Sequence, residues 1–357
     1  MLTIADIRER LSEIRLLGTK VDIVRAGFVQ RIGWDGTRIE VDLIVPPVSL
    51  HATQVLEADI RRSLGALPEV QDVSVRISGG GRGEGARNPE GVLQGVRQVI
   101  AVASAKGGVG KSTVAANLAL ALSSEGLRVG LLDADVYGPS LPLLFGTRGP
   151  VTITVSQRLA PVSKFGLQLM SVGFFVEEEA PVIWRGPVVM SLVRQFLRDV
   201  EWRDLDILLV DLPPGTGDAP LSLLQLIPVA GAVIVTTPQQ VAIADVERGI
   251  AMFQRVQAPV LGIVENMGVY RCPHCGSEEE LFGEGGGEAL HRKFGIPLIA
   301  RIPLEAHLRE ASDTGEPLPV RAPHHPVVQM FRQLSHRVLE RLAEVDREVL
   351  PTPRIIN

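Results

Sequence analysis

The chain has 357 residues, 45% of them apolar and only 4% aromatic, so it can bury a sizeable aliphatic core across two domains. Its formal net charge is −5, with 41 acids against 36 bases and no long run of either sign, which excludes nucleic-acid binding by bulk electrostatics. The opening "MLTIADIRERLSEIRLLG" lacks an apolar secretory core and no apolar stretch is long enough to span a bilayer, so the expectation is a soluble, cytoplasmic chain with no membrane partner.

Residues 1–78 predict a small α+β accessory domain of order αββαβ. Ile4, Ile7, Leu11 and Ile14 fall at helical spacing within a helix expected over Ile4–Leu17. Two strand-like runs, Val21–Ile32 and Arg38–Val45, flank the Asp-Gly of "WDGT", a favoured hairpin turn. Ile39, Val41, Leu43 and Val45 alternate as a half-buried strand does. A second helix is expected over Leu50–Leu64, and a third strand around Val73, Val75 and Ile77. Residues 79–96 are Gly-rich and polar, the composition of a linker.

Over residues 97–357 the pattern changes. Runs such as "VIAVASA", "VGLLDAD", "LDILLVDLPPG", "AVIVTTP" and "VLGIVENM" alternate with helical segments. Continuous apolar runs of this kind predict a doubly wound, mostly parallel sheet covered by helices on both faces, an α/β architecture. A last helix over Pro326–Val345 places Val327, Met330, Phe331, Leu334, Val338 and Leu342 on one face, as a helix docked on a core does.

The first of these runs leads into "AKGGVGKST". Gly107, Gly108 and Gly110 let the backbone wrap tightly, so that N–H groups from Gly107, Gly108, Val109, Gly110, Lys111, Ser112 and Thr113 can cradle phosphate oxygens. The helix that follows adds its N-terminal dipole. Lys111 is expected on the β- and γ-phosphates of ATP and Ser112 on Mg²⁺. Ala105 stands where the general pattern has its first Gly. A Gly-rich turn with no ligand is the plain alternative, against which the strand before and the helix after both weigh. Lys106 is surplus to a phosphate cradle within one chain. The loop resembles the deviant Walker A class, in which such a lysine reaches the nucleotide of a partner subunit.

Asp133 and Asp135 end one buried run, and Asp211 ends another, followed by a Pro-Pro-Gly loop to Asp218. That edge of an open α/β sheet is where ligands bind. Phosphoryl transfer needs an acid in the Mg²⁺ shell and a polar group to orient water, expected here in Asp211 and Asp135. Asp218 with Gly215–Gly217 is expected to sense the γ-phosphate. Each Asp also has a plain reading as a helix cap or turn residue. Asn266 in "VENMG" stands either as a reader of adenine's edge or as a turn residue.

Cys272 and Cys275 in "RCPHCG" are the only two cysteines. As half of a zinc ribbon they lack a second knuckle in the chain. As a redox pair they lack a helix start in the flanking sequence. Two chains related by a two-fold axis would bring four thiolates together, a set that suits a 4Fe–4S cluster or Zn²⁺. Two incidental thiols are the plain alternative.

Together, "ASAKGGVGKSTVAANLALAL", "DADVYGPSLP", "DLPPGTGDAPLSL", "TTPQQVAIADVERG" and "VENMGVYRCPHCG" resemble the Mrp/ApbC family of iron–sulfur cluster carriers over residues 97–345. The resemblance implies a homodimeric P-loop ATPase of slow turnover that takes a labile 4Fe–4S cluster from assembly donors and delivers it to apo iron–sulfur proteins. It assigns Lys106, Lys111, Asp135 and Asp211 to nucleotide, and Cys272 and Cys275 to the cluster. Residues 1–78 resemble more weakly the small domain fused to many such carriers, but "VPPVSLHATQ" lacks that domain's cysteine, which leaves a docking or structural role. Two rivals are a ParA/MinD-like spatial-regulator ATPase, which predicts a basic amphipathic terminal helix, and a zinc-bridged dimeric ATPase switch.

Overall fold

The structure, a computed structural model, describes residues 2–14, 22–25, 28–44, 50–67, 69–78, 93–147, 151–155, 157–175, 186–272 and 274–349. Two compact units make up the chain, Met1–Arg87 with Leu339–Asn357, and Asn88–Val338.

The first unit holds α1 (Ile4–Leu11), β1 (Val29–Trp34), β2 (Arg38–Ile44), α2 (Leu50–Gly65) and β3 (Asp72–Ser78). Thr3 starts α1 with a reciprocal cap, its Oγ1 accepting from Asp6 N at 3.3 Å while Asp6 Oδ2 accepts from Thr3 N at 2.8 Å. β1 and β2 pair antiparallel across "WDGT", where Asp35 Oδ1 accepts from Thr37 N and Arg38 N and Gly36 takes a φ of 101°. β3 pairs parallel to β2 after the α2 crossover. Ile7, Leu11, Ile39, Val41, Leu43, Leu56, Ile60 and Leu64 form the core. The αββαβ order matches the sequence reading, with two differences. α1 stops at Leu11, with Ser12 and Glu13 in a turn and residues 15–17 outside the described residues. The first strand begins at Val29, because Asp22 Oδ1 accepts from Val24 N and Arg25 N and folds that segment into a turn; Val21 and Val45 lie outside the described residues.

The second unit contains β4 (Val96–Ala103), α3 (Lys111–Ser124), β5 (Val129–Asp133), α4 (Leu141–Leu144), β6 (Val162–Lys164), β7 (Leu167–Ser171), α5 (Gly186–Asp199), β8 (Leu205–Asp211), α6 (Asp218–Leu226), β9 (Val229–Thr236) and α7 (Gln240–Arg255). β10 (Val260–Arg271), β11 (Glu278–Glu279), α8 (Gly286–Phe294), β12 (Leu298–Leu304), α9 (Ala306–Thr314) and α10 (Leu318–Arg321) follow, and α11 (Pro326–Val349) continues past its end. The strands form one sheet in the order β11-β10-β9-β4-β8-β5-β7-β6, with β12 also on β10. Pairing is parallel except where β6 meets β7 and β11 meets β10. All seven residues of β8 are buried, which explains why its sequence is a continuous apolar run.

β4 lies between β8 and β9 and precedes both in the chain, so the strand order reverses around it. Such a reversal opens a crevice at the carboxyl ends of the strands. Register then decides which side chains meet there: Asp133 is paired with Asp211, and Asp211 with Val102. Among the described residues, no helix is long and apolar enough to cross a membrane.

Candidate nucleotide site and cysteine turn

The loop between β4 and α3 is shaped by its glycines. Gly108 and Gly110 both take φ 80°, a conformation side chains rarely adopt. A Cβ on Gly110 would also stand 2.2 Å from Asn266 Nδ2, so this position is closed to side chains on two counts. Gly110 is the N-cap of α3 and offers no side chain to its first N–H groups, which leaves them for an anion. Val109 is buried between them, and Thr113 is half-buried in the first turn of the helix.

Three predicted residues converge here. Lys111, 6% exposed, donates from Nζ to Asp211 Oδ1 in a short contact and to Ser112 Oγ at 3.4 Å. Asp211 is fully buried, and its Oδ2 has no hydrogen-bond partner. Burial pushes its carboxyl above the usual range, opposed by the Lys111 charge and assisted by Asp135.

Asp133 is a clamp. Its Oδ1 accepts from Asp135 N at 3.1 Å, and its Oδ2 from Ser140 N and Ser171 Oγ at 3.0 Å and from Leu141 N at 3.3 Å. Burial, then the Asp211 charge, push its carboxyl up to about 7 against the pull of Lys111 and of these bonds. Asp135 stands half-buried on the clamped loop, its Oδ1 accepting from Gly138 N at 3.3 Å. Asp218 is exposed at the start of α6; the loop before it is tied down where Gly215 N donates to Ser104 O at 2.9 Å. Lys106 is half-buried, and its Nζ donates to Gln239 Oε1 of the same chain at 3.3 Å.

Asn266 is a strand residue rather than a turn residue. It is buried within β10 and donates from Nδ2 to the Val109 carbonyl at 2.8 Å, bracing the phosphate loop. Immediately after it, Met267 takes φ 58°, and the register with β12 shifts between Asn266 and Tyr270.

β10 then runs on to the cysteines. Its pairing with β11, Tyr270 with Glu279 and Arg271 with Glu278, makes the cysteine segment the turn of a hairpin. Cys272 N donates to Ser277 O at 2.9 Å and Gly276 N to Cys272 O at 2.8 Å. Both thiols are free, Cys272 half-buried and Cys275 exposed. The Ser277 hydroxyl, 3.1 Å from Cys275 Sγ, draws that thiol's pKa down, helped by Ser277's backbone and by Cys272. Among the described residues no helix begins at Cys272, as a redox pair of the thioredoxin kind would have, while two sulfurs this close in sequence suit a shared inorganic centre.

Ser140, Ser171 and Gln239 were not expected from sequence. Ser171 and Gln239 stand beside loops that reach them only in the folded sheet, while Ser140 contributes its backbone N–H to the Asp133 of its own loop, and no side-chain pattern marks any of them.

Residues 95–339 match the family described as NUBPL iron-transfer P-loop NTPase, and residues 4–77 match a family described as iron-sulfur cluster assembly protein. The iron-sulfur cluster carrier protein of Aquifex aeolicus is 39% identical, over 96% of this chain and 99% of its own. The iron-sulfur cluster transfer protein NUBPL of Dictyostelium discoideum is 45% identical, over 74% of this chain and 84% of its own. Among solved structures, the Archaeoglobus fulgidus nucleotide-binding protein in complex with ADP superposes with a TM-score of 0.60 at 42% identity, over 68% of this chain and 96% of its own. The cell division ATPase MinD of Pyrococcus furiosus, at 21% identity and a TM-score of 0.52 over 68% of this chain and 98% of its own, shares the fold. With more than half of its length matched, and with the loop, carboxylates and cysteine turn in the places described, this chain belongs to the NUBPL iron-transfer P-loop NTPase family.

Proposed function

We propose that this protein is an ATP-hydrolysing iron–sulfur cluster carrier. Two copies hold a 4Fe–4S cluster through Cys272 and Cys275 of each and pass it to apo-proteins. The observation that carries the reading is the path of β10, which braces the phosphate loop at Asn266 and ends in the cysteine turn six residues later. The names of the relatives, carrier and transfer proteins of iron–sulfur clusters, supply the cargo. One chain offers two thiolates, half of a 4Fe–4S ligand set, and a two-fold axis supplies the rest.

The nucleotide site fits ATP and Mg²⁺. The uncapped start of α3 and Lys111 take the phosphates, so Lys111 exchanges Asp211 for the nucleotide. Ser112 and the unpartnered Oδ2 of Asp211 are the oxygens suited to hold Mg²⁺, which supplies positive charge at the transferring phosphate. Asp135 orients the attacking water, and Lys106 leaves Gln239 to reach the partner's nucleotide. Asp218 and its loop follow the γ-phosphate. Movement of the phosphate loop is passed through Asn266 along β10 to the cysteines, giving two dimer states of different cluster affinity. In this reading residues 97–357 are the ATPase, 79–96 a linker and 1–78 a docking domain. The free thiols suit a reducing compartment such as the cytoplasm.

Anaerobic reconstitution with iron and sulfide tests the assignment. The wild type is expected to hold about four irons per dimer, and Cys272→Ala to hold none. A wild type that carries tightly bound zinc and takes up no cluster overturns it in favour of a zinc-bridged switch.

A further inference from the structure

A cavity of about 640 Å³ opens beside the cysteine turn, lined among others by Val269, Cys272, Arg301, Glu305, His307 and His325. β12 delivers part of that wall. Its last residue, Leu304, is paired with Tyr270 of β10, so Glu305 emerges next to the segment that leads to Cys272. The ligand atoms that Glu305, His307 and His325 can offer all lie within 4.8 Å of one another, and the two imidazole rings are 5.4 Å apart. Among the described residues this is the one group of three such side chains so disposed.

Local bonds prepare the set for a metal. Glu305 caps α9, its Oε1 accepting from His307 N at 3.3 Å and lying 2.8 Å from His307 Nδ1. A metal ion that replaces the proton shared by Glu305 Oε1 and His307 Nδ1 can take both atoms as ligands close to where they stand, 2.8 Å apart. His325 Nδ1 receives the Val327 N–H at 3.3 Å, a long bond that ligation can replace. Arg301, one of the cations on this wall, has its charge met by Glu265 at 3.0 Å and Glu288 at 2.6 Å.

We propose that Glu305, His307 and His325 form a metal site for a divalent first-row ion beside the cysteine turn. Two imidazoles and one carboxylate, with positions left open toward the cavity, are a ligand set suited to ferrous iron. The metal site stands on these three side chains alone. Its assignment to iron, as a waiting place for iron next to the thiols, rests on the carrier reading above.

The test uses full-length Cys272→Ser/Cys275→Ser protein, which removes the thiols and leaves the triad. Fe²⁺ and Co²⁺ are titrated anaerobically, with metal content by equilibrium dialysis and Co²⁺ absorption as the ligand signature. The expected result is one ion per chain, a cobalt spectrum with no sulfur-to-metal charge transfer, and affinity weakened more than about tenfold by adding His307→Ala or His325→Ala. Both histidines lie at the surface or half-buried, so these variants leave the core intact, unlike loss of the α9 cap at Glu305. No ion bound by the thiol-free protein, or binding indifferent to both histidines, overturns the site. Those outcomes leave the carrier reading standing if the wild type still loads a cluster, whereas a triad that binds iron in a chain that never takes up a cluster overturns the link between them.

Discussion

Asn266 donates to the carbonyl of Val109 at 2.8 Å across 157 positions of sequence, joining the strand that ends at the cysteines to the glycine-rich loop between β4 and α3. Asn266→Ala leaves a buried carbonyl unpartnered, which costs about 1–3 kcal/mol. A denaturant melt should show that loss. Cluster loading without nucleotide should survive, while ATP should cease to change the rate at which cluster leaves for an acceptor protein. An ATP response equal to the wild type's would show that signals bypass this bond.

Lys111 and Asp211 are both buried, so deleting one strands the other. Lys111→Ala should abolish ATP hydrolysis and also destabilise the nucleotide-free protein by about 3–5 kcal/mol. Ser112→Ala keeps the pair and separates the two effects: it should melt near the wild type and lose Mg²⁺-dependent turnover. Turnover unchanged in both variants would refute the nucleotide assignment.

The raised carboxyl of Asp133 makes stability depend on pH. Between its ordinary value of 3.8 and about 7, the folded protein keeps a proton that the unfolded chain has lost. The contribution of this group to stability is therefore full below pH 3.8 and is lost as pH rises through about 7. Asp133→Asn should lower the melting temperature overall, through its lost acceptors, but flatten its fall over that range. Calorimetry of nucleotide-free protein from pH 4 to 8 measures the slope, and an identical slope in the variant counts against this origin.

Lys106 is parked on Gln239 by a bond of 3.3 Å, long for a charge-assisted hydrogen bond and so a weak hold. Gln239→Ala should raise ATP turnover by releasing it. Lys106→Ala should lower turnover, with recovery when it is mixed with Lys111→Ala subunits. If Gln239→Ala lowers turnover as much as Lys106→Ala does, Gln239 belongs to the reacting site.

Much of this was legible in the sequence because the informative signals are local. "GGVGKS" needs only its own glycines and the strand and helix around it, and the α/β sheet follows from runs such as "LDILLVD" that are buried on both faces. The small first domain was legible from alternation at Ile39, Val41 and Leu43. Its first strand begins later than the sequence suggests, because Val21, Ile23 and Val24 form an extended-looking pattern while the single side chain of Asp22 turns the backbone. What stayed hidden depends on register and on strand order. Asp133 looks like Asp135 on paper, and only the pairing of β5 with β8 buries it against Asp211. Asn266 could be recognised as a strand-end amide, but its partner Val109 is supplied by sheet topology. Glu305, His307 and His325 come from two segments that meet only beyond the end of β12.

On the proposed carrier reading, the unequal exposure of Cys272 and Cys275 gives the handover a direction. Because Cys275 faces solvent while Cys272 is half-buried, an acceptor's thiol would meet the outer iron–sulfur bond first. Cargo on such a turn can leave by successive ligand swaps, one sulfur at a time, with the inner thiol as the last tether and no unfolding of the sheet behind it.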